Sequence, residues 1–147
     1  MFMRNITLFL FWWFLFFSIS TSSADNEINL DVDENGEYDA LSDGLLIIRY
    51  LFGLTGDDLV SGILGSNSLV VEPIEIKSKL DSMRSHLDVD GNGSVDALTD
   101  GLLILRYLFG LRGDSLVTQV IGTGAARNSS ESIDCLLYTS PSPRDQL

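Results

Sequence analysis

A duplicated segment constrains this chain more than any other feature of its sequence. Residues 30–65 read LDVDENGEYDALSDGLLIIRYLFGLTGDDLVSGILG, and residues 87–122 read LDVDGNGSVDALTDGLLILRYLFGLRGDSLVTQVIG. At a constant offset of 57 residues, 25 of the 36 aligned positions are identical. A unit repeated this closely is one structural element used twice, so the two copies are expected to pack on each other to bury a common core.

Each copy begins with oxygen-bearing side chains at alternate positions, namely Asp31, Asp33, Asn35 and Asp39 in the first and Asp88, Asp90, Asn92 and Asp96 in the second. Calcium takes six to eight oxygen ligands, and a tightly curled loop turns alternate side chains inward. Gly36 and Gly93 stand sixth, where such a loop turns sharply, and Glu37 and Ser94 stand seventh, where a backbone carbonyl binds the ion. The spacing therefore predicts two Ca²⁺ ions, one in each loop.

The residue that closes each loop is ambiguous. An EF-hand loop has a bidentate acid at its twelfth position, but this chain has Ser42 and Thr99 there, followed by Asp43 and Asp100. Either the loop is one residue longer and the aspartates complete the coordination sphere, which is the interpretation favoured here, or Ser42 and Thr99 cap the next helix while the aspartates complement its dipole. The alternative for all of these loop residues is an ordinary acidic turn that binds no metal. The occurrence of the same pattern twice, with glycine at the same position, argues against it.

Apolar helices are predicted directly after the loops, at residues 44–54 and 101–111. These segments are apolar around nearly their whole circumference, which is typical of helices buried on several sides. The predicted core residues are Leu45, Ile48, Phe52, Leu102, Leu105 and Phe109. Gly53 and Gly110 are expected to end the helices in the left-handed conformation, and Asp57 and Asp114 to cap a short helical turn.

Further helices are predicted between and after the copies. Residues 66–86 comprise a linker and a helix that starts at Pro73, and the sequence Asn128 to Glu131 is a capping signature at the corresponding place, in the segment 123–134. The predicted domains are a first repeat at 25–65, this connecting helix, and a second repeat at 87–122.

The two ends of the chain read differently from the repeats. Residues 1–24 have Arg4, an apolar run and a small-residue stretch, which predicts a secretory signal peptide and a secreted, periplasmic or cell-surface location. An uncleaved membrane anchor is the alternative, but the apolar run is shorter than a bilayer requires. Residues 135–145 of the final segment 135–147 resemble the translation of an adaptor used in sequencing libraries, the alternative being a Pro/Ser-rich tail.

Charge and composition narrow the classes of function. Residues 25–134 carry 20 Asp and Glu against 7 Lys and Arg. So acidic a chain repels nucleic acid and attracts cations. His86 is the only histidine, and no nucleophile stands in a recognisable catalytic setting, so no enzymatic activity is predicted.

The pattern D-x-D-x-N-G-x-x-D, then Asp, then LLI-x-RYLFG resembles the dockerin type I repeat. The resemblance implies an all-α fold in which two EF-hand-like calcium loop-helix repeats pack in pseudo-symmetry, and it implies binding to cohesin domains that assemble polysaccharide-degrading enzymes. The loop is one residue longer than in that family and the copies lie farther apart. The positions that meet the partner in that family correspond here to Ala40, Leu41, Arg49, Ala97, Leu98 and Arg106. The alternative for the two arginines is a solvated helix face.

Two functions from different classes follow from this sequence. The first is an exported module that docks onto a protein partner once calcium has ordered its helices. The second is a calcium-stiffened structural spacer with no specific partner.

Overall fold

A computed structural model of the protein describes residues 28–65 and 67–138. The predicted signal peptide and the last nine residues lie outside this range. Six α-helices occur in it: α1 Leu45–Leu51, α2 Asp57–Val60, α3 Pro73–Met83, α4 Leu102–Leu108, α5 Asp114–Val117 and α6 Ser130–Leu137. Short π-helical turns precede α1 at Ala40–Gly44 and α4 at Ala97–Gly101, and a 3-10 turn, Arg84–His86, follows α3. The described residues contain no strand, so the predicted all-α fold is confirmed.

Several helix ends lie where the sequence places them. Gly53 and Gly110, with φ of 84° and 80°, follow the ends of α1 and α4 in the left-handed conformation. Pro73 is the first residue of α3, where its missing N–H costs no hydrogen bond. The Ser129 hydroxyl caps α6 by accepting a bond of 3.2 Å from the Ser132 N–H. None of the helices in the described part is long and apolar enough to cross a membrane.

The prediction that Asp57 and Asp114 cap the short helices is wrong. Gly56 and Gly113 occupy the capping positions, with φ of 60° and 61°, and the aspartates are the first residues of α2 and α5. A positive φ of this kind strains any residue with a side chain, so glycine determines where the turn occurs. The aspartates there complement the helix dipole instead.

The two copies pack through α1 and α4, and a glycine in each copy makes the close approach possible. A Cβ atom on Gly44 would lie 2.7 Å from Leu105 Cδ1, and one on Gly101 would lie 3.2 Å from Ile48 Cγ1. The contact is reciprocal, so α1 and α4 lie antiparallel and related by an approximate two-fold axis. Ile48 and Leu105 therefore pack copy against copy, as predicted, but they and Leu45 and Leu102 are half-buried and do not belong to the buried core.

The face of each helix that enters the core differs from the predicted one. The buried residues are Leu46, Ile47 and Tyr50 in α1 and Leu103, Ile104 and Tyr107 in α4. By contrast, Phe52 and Phe109 are 57% and 54% exposed, so their prediction as core residues is wrong. Each phenylalanine follows the last residue of its helix, where the chain already turns away from the core.

The structural repeat extends beyond the 36 residues that align in sequence. The connecting helix α3 packs on α1 and α2, and α6 packs in the same way on α4 and α5. Ile76 and Leu80 of α3 are fully buried, as are Ile133 and Leu137 of α6, which stand 57 residues later. Each unit therefore consists of a loop, a seven-residue helix, a four-residue helix and a third helix that closes the core.

We predict that Gly44→Val destabilises the protein by about 2 kcal/mol, because the added methyl groups would overpack the contact with Leu105. Chemical denaturation in urea measures the loss. Ser78→Val places the same side chain on the exposed face of α3, so it serves as the control and should change the free energy of unfolding by no more than about 0.5 kcal/mol. Equal effects of the two substitutions would contradict the close approach of α1 and α4.

Candidate metal centre

Three aspartates converge in each loop. Carboxylate oxygens of Asp31, Asp33 and Asp43 lie within 4.8 Å of one another, and the same holds for Asp88, Asp90 and Asp100. The second and third members of each group are fully buried, and Asp31 and Asp88 are half-buried. These are two groups of carboxylates that could hold a metal ion, at equivalent positions of the two copies.

A π-helical turn brings Asp43 and Asp100 into these groups. The Gly44 N–H donates to the Asp39 carbonyl, five residues back, at 3.1 Å, and Gly101 donates in the same way to Asp96. Compared with an α-helical turn, this arrangement accommodates one extra residue before the helix proper. The turn thus carries an acid from the thirteenth position into the loop, in keeping with the longer loop favoured from the sequence.

The buried carboxylates of Asp43 and Asp100 tie the start of each loop to its end. Asp43 Oδ1 accepts a hydrogen bond of 2.6 Å from the Val32 N–H, and its Oδ2 accepts one of 3.0 Å from the Asp39 N–H. Asp100 makes the same two bonds in the second copy, at 2.7 Å and 3.0 Å. Each carboxylate is therefore held in place by backbone donors while it faces the other two acids.

The early loop residues are oriented by backbone donors as well. Asp31 Oδ2 accepts from the Gly36 N–H at 2.9 Å, and Asn35 Oδ1 accepts from the Glu37 N–H at 2.7 Å. The second loop repeats both bonds, from Gly93 to Asp88 and from Ser94 to Asn92, at 3.0 Å and 2.7 Å. The asparagines thus lie in the loops beside the acids, and the proposed backbone carbonyls of Glu37 and Ser94 stay a prediction.

Asp39 and Asp96, also predicted as ligands, lie at the N-caps of the π-helical turns. Asp39 Oδ1 accepts from the Leu41 and Ser42 N–H groups at 2.9 Å and 2.8 Å, and its Oδ2 accepts from the Ser42 hydroxyl. Asp96 caps the second turn in the same way. The structure therefore gives the capping role, which the sequence had offered to Ser42 and Thr99, to the aspartates three residues earlier.

The converging carboxylates form no ion pair with a basic side chain in the part of the chain that the structure describes. Burial raises the pKa of Asp43 to about 7, against its ordinary value of 3.8, and burial also raises the pKa of Asp100. The ion pairs of the described residues are Lys77–Asp81, Lys79–Glu34 and Arg112–Asp134, and none of them involves a member of either group. Such an arrangement favours a bound cation.

The residues predicted to meet a partner separate into three kinds. Ala40 and Ala97 are buried, whereas Leu41 and Leu98 are 64% and 63% exposed. Each arginine is occupied within its own unit, because Arg49 Nη1 donates to the Leu59 and Ser61 carbonyls at 3.3 Å and 3.0 Å, and Arg106 makes the equivalent bonds. The arginines cap the ends of the short helices α2 and α5, a role that neither sequence interpretation included.

Sequence reasoning missed the residues that contact the loops from the segments that follow them, of which four have the closest bearing on the aspartates. The Ser68 hydroxyl and the Gly122 N–H donate to loop aspartates, and Lys79 and Arg127 donate to loop carbonyls. Only Gly122 carried a signal, since a glycine ends the alignment in both copies. The other three stand at positions where the copies differ, so comparison of the repeats could not find them.

Comparison with known proteins adds no information on this site. No protein-family model, no curated protein and no solved structure matches the chain. Any function must therefore be argued from the geometry of the two aspartate groups and from the surface around them.

We predict that the metal-free protein loses stability as the pH rises. The pKa of Asp43 is raised in the folded state, so the stability linked to its neutral form is fully present below about pH 4 and is lost as the pH rises through about 7. With a saturating divalent ion the dependence should reverse, because protons compete with the metal for the carboxylates. The thermal unfolding midpoint of the metal-free protein, measured at about pH 5 and about pH 7.5, gives the direction of the pH dependence. A midpoint that rises with pH in the metal-free protein would contradict the prediction.

Proposed function

We propose that this protein binds two calcium ions, one in each loop. The observation that carries the proposal is the pair of matching groups of three carboxylates, which are largely buried and form no ion pair within the described residues. The side chains of Asp31, Asp33, Asn35 and Asp43 would hold the first ion, together with the Glu37 carbonyl. The equivalent residues of the second loop, Asp88, Asp90, Asn92, Asp100 and the Ser94 carbonyl, would hold the second.

The chemistry of the donors favours calcium over other common ions. Both groups offer oxygen only, whereas zinc prefers histidine nitrogen and cysteine sulfur. Magnesium requires near-ideal octahedral geometry and keeps several waters, while calcium accepts a larger and less regular set of carboxylates, amides and carbonyls. Extracellular modules of this type bind calcium in the range of about 0.1 to 1 mM, which suits the exported location that we propose.

A bound ion would act on the fold through Asp43 and Asp100. These carboxylates connect the first residues of each loop to the turn that starts α1 or α4. In the absence of a cation their negative charge opposes that connection, because it is buried beside two further acids. Neutralising the charge should therefore stabilise the loop and the helix pair together.

We predict that calcium raises the thermal stability of the protein and that Asp43→Asn removes about half of the gain. Each ion contributes about 2.7 kcal/mol when calcium is at 100 times its dissociation constant. The substitution disables one site of two. The difference between unfolding in calcium and in chelator measures this gain, so a change in baseline stability does not affect the result.

Asp57→Asn is the matched control, because Asp57 is exposed in the first turn of α2, outside both groups. It should leave the calcium-dependent gain unchanged. If calcium does not stabilise the unmodified protein at all, the proposal of a calcium protein is wrong.

We further propose that the calcium-loaded module docks onto a protein partner. The supporting observation is a set of large apolar side chains that the fold leaves exposed at equivalent positions of the two copies, namely Leu41, Phe52, Leu98 and Phe109. We call this set the apolar face. Each of these side chains is more than half exposed, and exposed apolar side chains grouped on one surface are typical of binding sites.

The antiparallel packing of the copies sets these side chains at the two ends of the helix pair. Gly44 contacts α4 and Gly101 contacts α1, so the two helices run antiparallel. Leu41, one turn before Gly44, therefore lies towards the end of α4, where Phe109 follows. Phe52 and Leu98 come together by the same symmetry at the other end of the pair.

The partner that fits this face is an exported protein with an apolar patch of its own. The resemblance to dockerin type I repeats suggests a cohesin-type domain, and with it a role in polysaccharide degradation. Calcium would control docking because the loops immediately precede the turns and helices that position these four side chains. A spacer without a partner is the alternative, in which the four side chains bind nothing.

We predict that the protein binds a purified cohesin domain only in calcium, and that Leu41→Asp combined with Leu98→Asp weakens binding at least about tenfold, or about 1.4 kcal/mol. Isothermal titration with and without chelator measures the affinity. Leu69→Asp provides the control, since Leu69 is 77% exposed but lies in the linker before α3. Absence of binding by a calcium-loaded, folded protein would favour the spacer.

A further inference from the structure

The two loops, although closely alike in sequence, are held differently from outside. The Oδ2 atom of Asp90 accepts a hydrogen bond of 2.7 Å from the Gly122 backbone N–H. In the first loop the corresponding atom of Asp33 accepts a bond of 2.5 Å from the hydroxyl of Ser68. Ala125 stands at the position equivalent to Ser68, so the second copy cannot use a hydroxyl there. One aspartate is thus anchored by the backbone and the other by a side chain.

The second loop leaves no space for a side chain at Gly122. A Cβ atom there would overlap the Asn92 carboxamide nitrogen and would lie 2.7 Å from Asp90 Oδ2. At Gly65, the equivalent residue of the first copy, a Cβ atom would lie 3.5 Å from Asn35 Nδ2 and 3.8 Å from Asp33 Oδ2, which are ordinary contacts. Neither glycine has a positive φ, so alanine is compatible with the backbone at both positions.

Other contacts from the following segment also hold the second loop. The Arg127 N–H donates to the Asp90 carbonyl at 2.8 Å, and its guanidinium donates to the carbonyls of Val89 and Asp88. The first loop has equivalent contacts, because the Val70 N–H donates to the Asp33 carbonyl at 3.0 Å and Lys79 Nζ donates to the Asp31 carbonyl. Each loop thus has one such cation at its first aspartate. The first loop also carries Glu34 and Glu37 where the second has Gly91 and Ser94, so the first loop holds more negative charge.

Resting on the proposed calcium function, we propose that the two sites are not equivalent and that Gly122 is the positioning residue of the second. A backbone N–H cannot rotate away, so the Asp90 carboxylate is already oriented before an ion binds. A serine hydroxyl can rotate, and Asp33 keeps more freedom. Preorganisation of this kind reduces the cost of ordering on binding. We expect this fixed orientation to outweigh the greater negative charge of the first loop, so that the second site fills at a lower calcium concentration than the first.

The amides of Gly36 and Gly93 allow the two sites to be followed separately. Each donates to the first aspartate of its own loop, at 2.9 Å and 3.0 Å, so its NMR signal should respond when that carboxylate takes an ion. Calcium is titrated into the isotope-labelled protein, and the two amide signals are recorded. In the unmodified protein the Gly93 signal should saturate before that of Gly36.

The matched pair Gly122→Ala and Gly65→Ala tests the positioning role. Outer contacts to metal ligands are worth about 10- to 100-fold in affinity. Gly122→Ala should therefore raise the calcium concentration at which the Gly93 amide signal changes by at least about tenfold, and leave that of the Gly36 signal unchanged. Gly65→Ala should change neither concentration by more than about threefold. Ser68→Ala is the second variant, and it should weaken only the site reported by Gly36, which keeps the test decisive if Gly122→Ala does not fold.

The outcomes distinguish this inference from the proposed function. If both signals saturate together, or if the two glycine variants have equal effects, the sites are equivalent and the inference is wrong, while the calcium function stands. If neither signal responds to calcium in the unmodified protein, both proposals fail.

Discussion

Everything in this structure depends on a buried carboxylate that connects a loop to the helix after it. Asp43 accepts backbone bonds from Val32 and Asp39, and Asp100 does the same in the second copy. The hydrogen bonds are well formed, but the ionised carboxylates are destabilised by burial, which raises the pKa of each of these acids. A protein built in this way uses acids that are unfavourable when charged and alone, and that become favourable once a cation lies between them.

The same constraint extends from the loops to the rest of the fold. The loop determines where the π-helical turn starts, the turn positions Gly44 and Gly101, and these glycines allow α1 and α4 to approach each other. The third helix of each unit then covers the core on the other side. Because the loops lie at the start of this sequence of contacts, an ion bound there would influence both the core and the exposed apolar face.

Duplication has produced two units that are similar in their ligands and different in their surroundings. The three-aspartate groups superimpose in residue type and in backbone contacts. The contacts from outside the loops differ, because the segments after the repeats have diverged. Ser68 corresponds to Ala125 in the other copy, and Lys79 and Arg127 reach their loops from positions that do not correspond. Two copies of one site could acquire different affinities in this way, because the aspartates are retained while the residues that contact them from the following segments have changed.

The sequence by itself determined the repeat, the all-α class, the positions of the loops and most helix ends, because these depend on local spacing and on glycine, proline and capping residues. It also identified the acids that converge, but it counted Asp39 and Asp96 with them and left open whether Asp43 and Asp100 belong to the loops. Tertiary structure brings Asp43 and Asp100 beside the other two acids through the extra residue of the π-helical turn, and it places Asp39 and Asp96 at the N-caps. It alone decided which helix face is buried, so that Phe52 and Phe109 are exposed and Leu46 and Leu103 are not. A helix apolar on all sides carries no periodic signal of which side meets the core, and only the packing of the two copies supplies it.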